Sequence, residues 1–151
     1  MLALLLAVMG SLTPIRQMPA DPHVLVLFSD VLTRGLVWDD YAESAAFIVR
    51  ENDGSYRCLM WPQTNQFQKQ TFNGGMPAGT VAIVHTHPQN APLPSQGDIE
   101  VAQRLHVPNY VLTRTNITAA DPISGSAVDV VRHWVWLQKG DGRCEQDWLP
   151  R

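Results

Sequence analysis

The chain is short of charge. Only 17% of its 151 residues are Asp, Glu, Lys or Arg, the net charge is −3, and the basic residues form no cluster. A nucleic-acid partner therefore lacks the basic patch it needs, and so small an imbalance selects neither acidic nor cationic substrates. Cysteine is equally scarce. Cys58 and Cys144 stand far apart with no Cys-x-x-Cys pair, which excludes a thiolate zinc cluster and a disulfide-dense scaffold. No apolar run approaches the ~20 residues of a bilayer span, and the N-terminal run from Leu2 to Met9 stops well short of it. Internal repeats and low-complexity segments are missing too. What is there is a 45% hydrophobic chain, long enough to bury a real core and therefore one ordinary globular domain.

Leu2 to Met9 has the length of a secretory h-region, with Val8 and Gly10 at the −3 and −1 positions before Ser11. It lacks the basic n-region, since the first basic residue is Arg16. Two readings stay open. Either residues 1–22 are a signal peptide and a proline-bearing linker ahead of a domain over 23–151, and the protein is periplasmic or secreted. Or the segment is an N-terminal element packed on a cytoplasmic domain. The cysteines follow the compartment: a Cys58–Cys144 bond in an exported protein, two buried thiols otherwise.

Val24, Leu27, Phe28, Val31, Leu32 and Leu36 recur at helical spacing, which predicts an amphipathic helix over 24–38. Ala45–Val49 and Ser55–Trp61 are apolar runs on either side of Glu51-Asn-Asp-Gly54, whose Asp-Gly marks a hairpin turn. Gln63 to Gly79 is polar and Gly-rich, a loop or weak edge strand. Thr80 to His87 is apolar on both faces before its histidines, so it should be a central strand covered on both sides. A proline-containing loop, Gln89–Pro94, leads into a helix from Ser95 or Gln96 to His106. Strands over Asn109–Arg114 and Val128–Gln138 follow, with a turn at Pro122–Gly125. His133 would alternate with Val131 and Val135 on one face of that last strand, as a core or interface residue. These elements make a mixed α/β domain with a single sheet flanked by helices.

The chemistry concentrates in His85-Thr86-His87-Pro88 and, six residues on, Ser95-Gln96-Gly97-Asp98. His85 and His87 are two apart on a strand and leave the same face, and Pro88 holds His87 extended. Two imidazoles and one carboxylate suit a catalytic zinc ion with its fourth position open to water. Ser95-x-x-Asp98 also reads as a capping box, with Asp in place of the usual Glu. Both roles can coexist at a helix N-terminus.

The pattern His-x-His-Pro-x6-Ser-x-x-Asp resembles the signature of the JAMM (JAB1/MPN+/Mov34) metalloprotease family, and every defined position is filled. The resemblance covers roughly Glu43 to Arg114. It implies the JAB/MPN, cytidine-deaminase-like architecture and one zinc ion per chain on His85, His87 and Asp98. It also implies Ser95 as a donor to the tetrahedral intermediate, and a glutamate before an earlier strand as general base. Glu43-Ser-Ala-Ala-Phe-Ile48 fits that context, although Ala45 and Ala46 stand where the family often has glycine.

The function so implied is zinc-dependent hydrolysis of a peptide or isopeptide bond, with a peptide or protein as substrate. Short connections after Asp98 leave no room for the insertions of the ubiquitin-cleaving members, so a compact bacterial-type member is expected. A phosphoesterase is disfavoured by the want of a basic cradle. The rival from another class is a non-catalytic, zinc-containing MPN-type interaction module.

Overall fold

The structure is a computed structural model, which describes residues 14–38, 43–63, 72, 74–87, 91–136 and 143–150. The N-terminal run from Leu2 to Met9 and Pro88 lie outside these residues. Helices α1 (Pro14–Gln17), α2 (Pro22–Trp38) and α3 (Gln96–Leu105) flank six strands: β1 (Ala45–Arg50), β2 (Tyr56–Met60), β3 (Thr80–Thr86), β4 (Asn109–Leu112), β5 (Asn116–Ala120) and β6 (Ala127–Arg132). The strands form one sheet in the order β2-β1-β3-β4-β5-β6. Among the described strands only β3 and β4 pair in parallel, and α3 makes the crossover that joins them. The sheet is therefore mixed, as the alternation of elements predicts.

Alternation along the strands sorts the side chains to two faces. Ala46, Ile48, Ala82, Val84 and Tyr110 pack with Phe28 and Val31 of α2. Ala45, Phe47, Val49 and Ile83 turn the other way, against Val101 and Leu105 of α3. Two covered faces are why β1 and β3 read as continuous apolar runs rather than alternating ones. No helix among the described residues is long and apolar enough to cross a membrane.

Three expectations differ from the structure. Residues 14–20, a linker in one of the two readings, form α1 and a 3-10 turn, and Ile15 and Met18 are buried in the core. Asp21 then caps α2, its carboxylate accepting from the His23 N–H at 2.9 Å, with Pro22 at the first helical position. Proline there starts a helix instead of breaking one. Strand β5 is an element that the sequence does not announce, because in Asn116-Ile-Thr-Ala-Ala120 only Ile117 and Thr118 favour a strand. The last strand ends at Arg132, not Gln138. His133 adopts φ +56° and is exposed, so it belongs to no core face. Trp134 is still buried, its indole N–H donating to the Thr113 carbonyl at 2.9 Å.

Cys58 and Cys144 are joined by a disulfide, with Cα atoms 4.6 Å apart. It fastens the C-terminal segment to β2, and the Asp30 carboxylate of α2 holds the same segment by accepting from the Arg143 and Cys144 N–H groups at 2.7 and 3.2 Å.

Candidate metal centre

The end of β3, the start of β1 and the N-terminus of α3 meet at one point. In the antiparallel pairing of β1 with β3, Ala45 lies opposite His85, so the residue that enters β1, Glu43, arrives beside the histidines. A reciprocal clamp fixes this junction. The Thr86 N–H donates to the Ser44 carbonyl and the Ser44 N–H donates to Thr86 Oγ1, both at 2.9 Å. Helix α2 comes close enough to cover Thr86 because residue 35 is glycine; a Cβ there would lie 2.8 Å from Thr86 Oγ1. Glu43 is further held through its carbonyl, which accepts from the Gln63 amide at 3.1 Å.

His85 and His87 project from the same face of β3, with their Nε2 atoms 3.1 Å apart. Asp98 comes from the first turn of α3. Its Oδ1 is 3.1 Å from His85 Nε2 and its Oδ2 is 3.5 Å from His87 Nε2. Ligand atoms of the three residues all lie within 4.8 Å of one another. The capping box is also present: Ser95 N and Oγ donate to Asp98 Oδ2, each at 2.7 Å, and Asp98 N donates to Ser95 Oγ at 3.2 Å. One carboxylate thus caps the helix with Oδ2, which also faces His87, and offers Oδ1 to His85.

The outer partners decide what the imidazoles can hold. His87 Nδ1 is 2.8 Å from the Ala91 carbonyl oxygen, which can only accept, so Nδ1 carries the hydrogen. The loop bearing Ala91 is anchored by the Thr118 hydroxyl, which donates to the Pro92 carbonyl. His85 Nδ1 donates to Asn109 Oδ1 at 3.0 Å, and the Asn109 amide N–H in turn donates to the Asp98 carbonyl at 3.3 Å. Both neutral rings therefore direct an Nε2 lone pair at the other and at a carboxylate oxygen. Two lone pairs and an anion converging on one point are a donor set for a cation, with the tautomers fixed from behind as metal-ligating histidines usually are. The residues fit a divalent metal.

In the metal-free protein a proton serves the same purpose. Burial lowers the His87 pKa, but the hydrogen bond to Asp98, the Ala91 carbonyl and the charges of Asp98 and Glu43 outweigh it, and the net shift is upward. Burial would raise the Asp98 pKa, yet hydrogen bonds from His85, His87 and Ser95 hold it well below the usual carboxylate range.

Glu43, Ala45, Trp61, His85, Asp98 and Asn109 are among the walls of one cavity of about 70 Å³. All five sequence candidates accordingly fall in one neighbourhood, with Ser95 reaching it through Asp98. Asn109 is the residue that sequence reasoning did not find. Its signal was a single polar side chain opening an otherwise apolar strand, Asn109-Tyr-Val-Leu112, eleven positions after Asp98. Among the remaining histidines, His106 closes α3 in a left-handed conformation and His23 sits at the start of α2, both exposed and neither part of this cluster.

A family model described as prokaryotic homologs of the JAB domain matches residues 35–134, which span well over half of the chain and all of the cluster. No curated protein and no solved structure matches.

Proposed function

The chain belongs to the prokaryotic homologues of the JAB domain, and from that membership we propose that it is a zinc-dependent hydrolase of peptide or isopeptide bonds. The observation that carries the reading is the convergence of the His85 and His87 Nε2 lone pairs with Asp98 at a cavity that Glu43 also lines. His85, His87 and Asp98 would hold one zinc ion, which when bound supplies Lewis-acid polarisation of a carbonyl and activation of a water.

The chain's own residues supply the proton traffic. Glu43 takes a proton from the attacking water and returns it to the leaving amine as the C–N bond breaks. Ser95 donates its hydroxyl to the developing oxyanion, exchanging its present bond to Asp98 Oδ2 for one to the substrate. Asn109 and Ala91 keep both imidazoles in the tautomer that leaves Nε2 available. A scissile amide suits the cavity better than a phosphoester, because no Lys or Arg among the described residues lines it and Glu43 and Asp98 would repel an anion.

Replacing Glu43 by glutamine tests this against the interaction-module reading. The amide is close in size but accepts no proton, so zinc and fold should persist while turnover of a peptide library falls ~10²–10⁴-fold. Ser95→Ala should cost about 10²–10³ in turnover. Near wild-type cleavage by Glu43→Gln would assign the base to another residue. Absence of any cleavage by zinc-loaded wild type would favour the module.

A further inference from the structure

The α3 face of the sheet holds a second cavity, of about 240 Å³. Phe47 and Ile83 of the sheet form its floor, Val101 and Leu105 of α3 one wall, and Trp61 and Phe72 the other. Trp61, Ile83 and Val101 also line the cavity of Glu43, His85 and Asp98, so the two spaces share walls. The periodicity of β3 makes this adjacency: Ile83 and His85 are two apart, and leave the same face.

The walls are pre-formed. Phe47 packs on Trp61 at 5.1 Å and edge-on to Phe72 at 5.0 Å between ring centroids, and Trp61 lies 5.3 Å from Phe72. Trp148 backs the group, stacked on Phe72 at 5.7 Å. The disulfide and the Arg34–Asp147 ion pair at 2.6 Å secure the segment that carries Trp148. Protein interiors leave few voids larger than a water molecule. This space has room for an aromatic ring and opens to solvent at a rim where Met76 and Arg104 are exposed.

Resting on the hydrolase reading above, we infer that this cavity is a specificity pocket for a large apolar side chain of the amide substrate, aromatic by preference. Three observations select that occupant. Among the described residues the lining side chains are apolar and aromatic apart from Arg104, so a polar side chain would exchange its hydration for few partners. The Phe47, Trp61 and Phe72 rings offer edge and face contacts to an entering ring. The walls shared with the Glu43–His85–Asp98 cavity put a side chain in this space beside the candidate metal centre. Since one methylene in an apolar pocket discriminates by ~10–200-fold, Phe over Ala should exceed tenfold.

The test has a binding arm that needs no metal and a cleavage arm that does. In the binding arm, N-acetyl-phenylalanine amide is titrated into metal-free protein and followed by the Trp61 indole and Val101 methyl NMR signals. Saturable shifts are expected, with none from N-acetyl-alanine amide. Met76→Trp, which sets a large ring on the exposed rim, should abolish them, and Phe72→Ala should weaken them should the first variant fail to fold. In the cleavage arm, zinc-loaded wild type should prefer Phe over Ala beside the scissile bond by more than tenfold. Met76→Trp should erase that preference. No saturable binding of the phenylalanine amide, or equal handling of Phe and Ala, overturns the pocket. Binding that Met76→Trp abolishes, with no amide cleaved at all, sinks the hydrolase reading and leaves the apolar site standing.

Discussion

Asn109→Ala should weaken zinc binding by one to two orders of magnitude although it removes no candidate ligand. Asn109 is 3% exposed, accepts from His85 Nδ1 at 3.0 Å and donates to the Asp98 carbonyl at 3.3 Å. Alanine leaves the His85 Nδ1–H buried without an acceptor, which costs ~1–3 kcal/mol. The metal-free protein escapes much of that cost by moving the hydrogen to Nε2, where Asp98 Oδ1 lies 3.1 Å away. A metal-bound His85 has no such escape, because Nε2 must keep its lone pair for the ion. The penalty therefore falls on the bound state and appears as a loss of affinity of roughly 5–150-fold, in line with the ~10–100-fold typical of outer partners. Competition against a chromophoric chelator at fixed pH reads it directly, and urea unfolding of the metal-free variant verifies the fold. Asn109→Asp keeps an acceptor and should stay within a few-fold of wild type. Unchanged affinity in Asn109→Ala would refute the tautomer argument.

The cluster also predicts a pH signature. His87, raised from 6.5, stabilises the metal-free fold fully below about pH 6.5 and ceases to do so as pH rises through its folded value. Asp98, lowered from 3.8, contributes above about pH 4 and stops as pH falls toward its folded value. Urea midpoints without metal should thus fall as pH rises above about 6.5, while stabilisation by zinc, which must displace the shared proton, grows in the same direction of pH; parallel trends would contradict this. Gly35→Ala, with its Cβ 2.8 Å from Thr86 Oγ1, should lower stability by ~1–3 kcal/mol in urea unfolding, and an unchanged midpoint would mean that α2 can shift away freely. Reduction of the Cys58–Cys144 bond, which closes a separation of 86 residues, should cost ~2–4 kcal/mol, and an unmoved midpoint in protein shown by mass to be reduced would deny it a stabilising role.

The parts of the fold legible in the sequence are those with strong local signals. The β1–β2 hairpin was marked by Asp53-Gly54, where Gly54 takes φ +85°, and α3 by Ser95 and Asp98 at its first turn. The candidate ligands were legible for a related reason: strand period and one short loop bring His85, His87 and Asp98 together without long-range help. What stayed hidden depends on tertiary contact. Asn109 looks like any strand-opening polar residue until β4 is laid beside β3 and Asp98 is placed above it. The Phe47–Trp61–Phe72–Trp148 cluster gathers residues from four separate segments, and no spacing announces it. Helix α1 was obscured by prolines that initiate helical turns here, and β6 read too long because the alternation of Val131, His133 and Val135 continues past the left-handed His133.

The most direct test is the zinc stoichiometry of purified protein, measured by elemental analysis alongside His85→Ala/His87→Ala. Wild type should hold about one zinc per chain, and the double variant should hold none while retaining its fold and its Cys58–Cys144 bond. The variant keeps Asp98, Glu43 and every other carboxylate, so adventitious binding elsewhere would survive the change. Zinc retained at wild-type stoichiometry in the double variant would contradict the assignment of the metal centre to the end of β3.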